Sequence, residues 1–312
     1  SGWFQETAME QVIPGVRGAA PGAGNATLEW WQQEGKWFSY GGHAIFSRMA
    51  GQGDPVVLLH GFPTASWDWS RLWPMLQQHH SLFTLDMLGF GFSDKPALYD
   101  YSIEDQADMF EGWIAGLGLK TVSLFAHDYG GSVAQELLAR DQEGLLPFSI
   151  ARVGFLNGAL FPEVHSPLLI QKLLGSPLGG LISRGLTRRT FERNFRRLFG
   201  PETPPSRKDM DDFWYLLTYN NGRGILHNLI HFMEERRCHR NRWVGALQKA
   251  EQPMRLISGV ADPVSGSAMA RRYRELVPNA DVVSLRNVGH YPHFESTGEV
   301  YRAWRDFCKQ SE

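Results

Sequence analysis

The sequence predicts an α/β fold: a mostly parallel central sheet flanked by helices, with a helical cap inserted between two strands. Three observations carry this expectation. Short apolar runs at 55–59, 82–85, 122–126, 150–156, 254–258 and 281–285 alternate with stretches of helical period, the pattern of strands covered on both faces by crossover helices. Strand signal fades across 160–249, where apolar helical stretches, many arginines and a proline-rich break at 201–205 take over, and it returns at 254. Several strands run into short polar or glycine-bearing segments, at the sheet edge where open α/β folds place their sites. Residues 1–159 and 250–312 thus read as the core and 160–249 as the cap.

The elements follow in order. Residues 1–26 are rich in Gly, Pro and Ala, and 14–25 read as a loose arm. Residues 27–32 and 36–50 alternate apolar and polar side chains, which suggests an antiparallel hairpin or meander turning at Glu34-Gly35 and Gly41-Gly42. After a turn at 51–55, strand 55–59 runs into His60-Gly61-Phe62-Pro63, and a helix is expected near 69–78. Strand 82–85 ends in a loop shaped by Asp86, Gly89, Gly91 and Ser93, and 103–117 are helical by period. Strand 122–126 and helix 132–140 flank a sharp turn, and strand 150–156 follows. In the cap, 167–174, 213–219 and 225–233 have helical apolar spacing, and the basic runs Arg236-Arg237 and His239-Arg240 read as a solvated face. A strand at 254–258, a helix near 267–276, a strand at 281–285 and an amphipathic helix at 298–309 close the chain.

Composition narrows the function classes. The chain has 312 residues, 43% of them hydrophobic and 21% charged, as in a globular protein with a substantial core. A net charge of -2 gives no reason to expect nucleic acid or an anionic membrane as partner. The only cysteines, Cys238 and Cys308, have no paired spacing, which points to a reducing, cytoplasmic setting and away from a disulfide framework or a zinc site. No apolar run approaches the ~18 residues of a membrane span, and the first thirty residues contain no secretory-type apolar core.

The chemistry centres on Asp128. It sits in Ala126-His127-Asp128-Tyr129-Gly130-Gly131, a strand–turn–helix layout that holds one side chain on a strained turn. A carboxylate attacking an acyl group gains little, because the product is a mixed anhydride. Attack on a saturated carbon bearing a leaving group instead forms an ordinary ester on the enzyme. The plainer alternative is a capping Asp in a protein that has lost catalysis. Asp262, in Ala261-Asp262-Pro263, and His290, in Gly289-His290-Tyr291, each follow a predicted strand, and the order nucleophile, acid, histidine is that of a catalytic triad. His290 is the candidate base and Asp262 its orienting partner. The backbone N–H groups of Phe62 and Tyr129 are the candidate oxyanion hole, and the Phe62–Pro63 bond is expected to be cis. His60 reads as a brace and His293 as structural. Tyr215, Tyr219 and Trp67 are the candidate substrate contacts. Turn formation by Asp-Pro and an ordinary loop histidine remain the plainer readings of Asp262 and His290.

The set HGFP, GFGFSDKP, HDYGG, ADP and GHYPHFE resembles the Asp-nucleophile branch of the α/β-hydrolases, which includes epoxide hydrolases and haloalkane dehalogenases. The resemblance covers about 36–308. Tyr101-Ser102-Ile103, Phe161-Pro162-Glu163, 168–174 and 242–247 are also similar to the mesoderm-specific transcript family. Membership of the branch implies hydrolysis of a small apolar substrate through an Asp128 ester, with an epoxide leading and a β-lactone or halide as alternatives, and no metal or organic cofactor. Phe62 offers no side-chain N–H for halide, and cap tyrosines Tyr215 and Tyr219 are the implied proton donors to an epoxide oxygen. Where such enzymes carry a later cap tyrosine, this chain reads 223–229 without one, so His227, Asn228 and His231 are substitute donors. A ligand-binding or regulatory protein on a hydrolase scaffold is the alternative of another class.

Overall fold

The computed structural model describes residues 26–311, so the arm expected at 14–25 lies outside the described residues. The α/β architecture is as expected. One sheet has the order β1-β2-β4-β3-β5-β6-β7-β8, formed by β1 (Lys36–Tyr40), β2 (His43–Ala50), β3 (Asp54–Leu59), β4 (His80–Leu85), β5 (Thr121–Ala126), β6 (Ser149–Phe155), β7 (Met254–Gly259) and β8 (Val282–Leu285). The β1–β2 and β2–β4 pairs are antiparallel and the other pairs parallel.

Helices α1 (Leu28–Gln33), α2 (Trp73–Leu76), α3 (Ile103–Gly116) and α4 (Tyr129–Gln142) belong to the first half of the chain. Between β6 and β7 come α5 (Leu169–Leu174), α6 (Gly179–Gly185), α7 (Arg188–Arg196), α8 (Arg207–Thr218), α9 (Leu226–Leu229), α10 (Phe232–Cys238) and α11 (Arg240–Lys249). Helices α12 (Ser267–Leu276), α13 (Pro292–Glu295) and α14 (Thr297–Gln310) complete the chain. Leu58, Leu59, Phe125 and Ala126 of the central strands are fully buried, so the ends of β3 and β5 are fixed from both faces.

Three local expectations need correction. The stretch 27–32, expected as a strand, instead caps and forms most of α1 (Leu28–Gln33). Thr27 caps it by accepting the Trp30 N–H, and Trp31 buries its ring edge-on against Trp67 and Trp73 at 5.7 and 5.1 Å. The Arg48 guanidinium lies 4.4 Å from both the Trp30 and Trp31 rings, so tertiary packing overrides the alternating pattern. The helix near 69–78 is instead a 3-10 turn at Ser66–Trp69 followed by the single turn of α2, which Pro74 opens. The stretch 225–233 is broken. A 3-10 segment, Tyr219–Ile225, contains Asn220 and Asn221 at φ of 49° and 59°, and α9 and α10 follow separately.

Helix α11 docks on α4 through one buried carboxylate. Glu136 accepts from Arg140 Nε at 2.9 Å, Arg242 Nε at 2.8 Å and Trp243 Nε1 at 2.7 Å. Burial alone would push Glu136 up, but these donors outweigh it and hold the carboxyl below its usual range. This anchors the β6–β7 excursion to the helix that begins directly after Asp128.

Gly130 is required by close approach. A Cβ there would lie 2.5 Å from the Leu59 carbonyl oxygen and 2.6 Å from that of His60, both backbone. A Cβ at Gly131 would meet nothing nearer than the Leu160 side chain at 3.4 Å. Gly130→Ala should therefore cost about 2 kcal/mol or more, while Gly131→Ala should be tolerated. Urea unfolding midpoints check this, and equal midpoints for the two variants would contradict it.

Candidate active site

Asp128 is held where the sequence placed it, between β5 and α4. Its backbone has φ 47° and ψ -110°, a left-handed conformation that a non-glycine residue adopts only under constraint. The constraint is visible. Asp128 N–H donates to the Asn157 carbonyl at 2.8 Å, and Gly131 N–H to the Asp128 carbonyl at 2.9 Å. The turn lifts the side chain off the sheet edge and gives its two oxygens different surroundings. Oδ2 accepts the Phe62 N–H at 3.0 Å. Oδ1 faces His290 Nε2 at 3.8 Å and Arg236 Nη2 at 3.5 Å. Tyr129 opens α4 directly after Asp128, with its ring buried against Phe90 and Phe232. The Phe62–Pro63 bond is cis.

The acid and histidine converge on the same point. Asp262 Oδ2 bonds His290 Nδ1 at 2.6 Å. The rest of that carboxylate is satisfied by the Val264 N–H at 2.7 Å, Ser265 Oγ at 2.7 Å and Asn157 Nδ2 at 2.9 Å. Backbone bonds seat the histidine: its N–H donates to the Leu198 carbonyl at 2.7 Å, and its own carbonyl lies 2.7 Å from His127 Nε2. Burial disfavours a charged His290 ring, but the adjoining Asp262 and then Asp128 reverse that and raise it to about 9. Burial likewise opposes ionisation of Asp262, yet His290, Ser265 and the Val264 N–H bring it down to about 2. Asp128 also ends below its usual range, because Arg236, His290 and His127 outweigh desolvation.

Several residues at the site were not singled out from sequence. Arg236 is not part of the solvated face that its basic run predicts. It is 2% exposed, its Nε donates to Ser132 Oγ at 2.7 Å, and its guanidinium lies 4.6 Å from the Phe232 ring. Of that basic run, Arg237 is the residue turned to solvent; His239 stacks on Trp243 and Arg240 pairs with Glu163. Helical spacing contained the signal, since Phe232 and Arg236 stand four apart and share a face. Asn157 and Ser265 join the Asp262 network. His165 is held neutral, brought down to about 4 by burial and by Arg236.

The substrate-contact candidates fare differently. Trp67 packs edge-on against Trp31, with ring centres 5.7 Å apart. Tyr215 is 49% exposed and lies against Phe92 and Tyr219, whose own ring also packs on Phe92. Neither tyrosine nor Trp67 lines the apolar cavity of about 70 Å³ beside the site. That cavity is bounded by Phe62 and Pro63 below and by Leu174, Phe191, Phe195 and Leu226 from the helices above. His60 and His293 are fully buried; His60 Nε2 accepts the Met87 N–H at 3.0 Å, which matches its bracing role. Among the described residues, the grouping with metal-ligand character is Asp68, His127 and His293, buried with donor atoms within 4.8 Å of one another. One of the three, His127, is engaged through Nε2 with the His290 carbonyl.

The sequence pattern described as alpha/beta hydrolase fold matches residues 54–297. The chain belongs to the alpha/beta hydrolase fold family. It is 40% identical over 296 residues to the mesoderm-specific transcript homolog protein of Bos taurus, covering 90% of this chain and 87% of the relative. It is 40% identical over 268 residues to the putative hydrolase LipZ of Mycobacterium tuberculosis, covering 85% and 92%. A cis-3-alkyl-4-alkyloxetan-2-one decarboxylase of Shewanella oneidensis is 27% identical over 277 residues, 84% of each chain. The haloalkane dehalogenase DatA from Agrobacterium tumefaciens superposes with a TM-score of 0.74 at 20% identity, over 89% of this chain and 97% of that one, a likeness of fold. This α/β hydrolase has no helix among its described residues long and apolar enough to cross a membrane.

Asp262 supplies the largest upward pull on the His290 ring. In Asp262→Asn the ring should therefore release its proton well below about 9, as followed by NMR titration; release still near 9 would contradict the assignment. The sign carries over to stability. A histidine raised above its ordinary ~6.5 adds stability that is complete below that pH and is lost as pH rises through about 9. The wild type should thus lose more stability than Asp262→Asn across that window.

Proposed function

We propose that this chain hydrolyses a small, mainly apolar electrophile through a covalent ester on Asp128. The observation that carries the reading is the split environment of the Asp128 carboxylate. Oδ1 faces His290 and Arg236, and Oδ2 is bound by the Phe62 N–H. Oδ1 attacks a saturated carbon and the leaving group departs. Esterification removes the Asp128 charge that helps keep the His290 ring protonated, and the ring in its neutral form then takes a proton from water, which attacks the carbonyl carbon of the new ester. Negative charge develops on Oδ2, where the Phe62 N–H and the neighbouring Tyr129 N–H stabilise it. Asp262 orients the ring and supports the imidazolium.

In this reading the cap that encloses the substrate narrows from the expected 160–249 to 160–239, because α11, docked on Glu136, belongs with the core layer. An epoxide, the leading substrate on sequence, needs a proton donor for its oxygen. Tyr215 and Tyr219 are placed against Phe92 rather than along the cavity, which weakens that substrate relative to one whose leaving group departs as an anion. A β-lactone and a haloalkane both meet this requirement. The Shewanella relative, named for an oxetan-2-one, agrees with a β-lactone.

Turnover in heavy-oxygen water with a β-lactone, a bromoalkane and an epoxide of matched chain length tests the reading. An ester route puts solvent oxygen into the Asp128 carboxylate, detected by the mass of its peptide. No label with any of the three would overturn the reading and favour a ligand-binding protein on the hydrolase scaffold.

A further inference from the structure

The ester mechanism as stated above gives Arg236 no part beyond holding Asp128 ionised, yet the residue is buried deep in the site. It comes from α10, is 2% exposed, and approaches the nucleophilic oxygen at 3.5 Å. Ser132 Oγ fixes its Nε at 2.7 Å, and the Phe232 ring supports the guanidinium plane from 4.6 Å. Phe232 in turn packs on Phe62 at 5.2 Å, so one aromatic wall joins the arginine to the cavity lining. Nη1 is buried without a hydrogen-bond partner among the described residues. An unpaired N–H on a buried guanidinium is costly unless an anion uses it during the reaction cycle.

Charge accounting shows when that happens. Before attack, Asp128 Oδ1 is the anion that Arg236 faces. Once Oδ1 becomes an ester oxygen it is neutral, and the guanidinium loses its partner in the same step that releases a leaving group. The cation cannot serve as an acid, because arginine stays protonated throughout. It favours leaving groups that depart and remain anionic. Its planar pair of terminal nitrogens matches a carboxylate in two-point contact better than a spherical halide.

On the covalent reading above, we propose that Arg236 is the leaving-group receptor and that the substrate class is a hydrophobic β-lactone opened at its alkyl carbon. Asp128 Oδ1 attacks the ring carbon that bears the ring oxygen. The carbon–oxygen bond breaks, and its electron pair stays on that oxygen, giving a carboxylate bound by Arg236 and tethered to the ester. Water, deprotonated by His290, adds to Asp128 Cγ. The bond from Cγ to the former Oδ1 then breaks, and the departing alkoxide takes the proton from His290. The balance is one lactone plus one water giving one β-hydroxy acid. Both original lactone oxygens remain in the product carboxylate, and the hydroxyl oxygen comes from Asp128.

The test uses the full chain with the matched lactone, bromoalkane and epoxide in heavy-oxygen water. The wild type should favour the lactone, and over many turnovers label should appear in the product hydroxyl but not in its carboxylate. Arg236→Gln should lower lactone kcat about 10²–10³-fold, the scale for losing one preorganised charge-stabilising donor, with KM changed much less. Label in the product carboxylate, or unchanged lactone kcat in Arg236→Gln, would overturn the inference. So would a wild-type preference for the bromoalkane or epoxide. In those outcomes Asp128 labelling still decides the ester reading separately. A binding measurement guards against a variant that simply folds poorly. Asp128→Asn removes the charge Arg236 faces, so decanoate should bind Asp128→Asn at least tenfold more tightly than wild type by calorimetry. The gain should vanish in Asp128→Asn/Arg236→Gln, and equal decanoate affinity in wild type and Asp128→Asn would also overturn the inference.

Discussion

The site depends on one carboxylate whose two oxygens are not equivalent. Asp128 Oδ2 is tied to the Phe62 N–H, while Oδ1 stands between His290 and Arg236. A buried anion of this kind is sustained only where nearby positive charge and N–H donors outweigh desolvation. The ionised state is therefore built in, and on the proposed mechanism the attacking oxygen is the one left facing His290 and Arg236.

The fold produces that asymmetry by converging strand ends. β3 delivers Phe62, β5 delivers Asp128, β6 delivers Asn157, β7 delivers Asp262, and β8 leads to His290. Parallel pairing brings these ends to one edge. Asn157 shows how closely the parts are shared: its carbonyl accepts the Asp128 N–H, and its side chain bonds both Asp262 and the Gly259 backbone. Strain at the Asp128 turn is thereby opposed by bonds that also set the acid. The excursion between β6 and β7 contributes in a different way. It supplies a cation from α10 and a largely apolar wall, while α11 locks that segment to α4 through Glu136.

The sheet and the triad candidates were legible because both are written locally. Period-two and short apolar runs mark strands, and the polar groups fall just beyond their ends. What was not legible depended on contacts between distant segments. Residues 27–32 alternate as a strand does, but Trp31 is drawn into a helix by Trp67, Trp73 and Arg48. Arg236 sits in a run of basic residues, and composition gave no way to separate the one buried arginine from its solvated neighbour Arg237. Tyr215 and Tyr219 had the right chemistry and segment, but Phe92 and Lys95 hold that corner of the excursion, with Lys95 Nζ bonded to the Leu216 and Tyr219 carbonyls.

The central claim is that Asp128 becomes covalently bonded to substrate and that His290 is needed only to release it. Exposing His290→Gln to a hydrophobic β-lactone, then locating any adduct by tandem mass spectrometry, addresses this directly. The account predicts a stoichiometric adduct of the lactone's full mass on the Asp128 side chain that persists for as long as the protein is kept. An adduct confined to other side chains, or none at all despite turnover by the wild type, would contradict it.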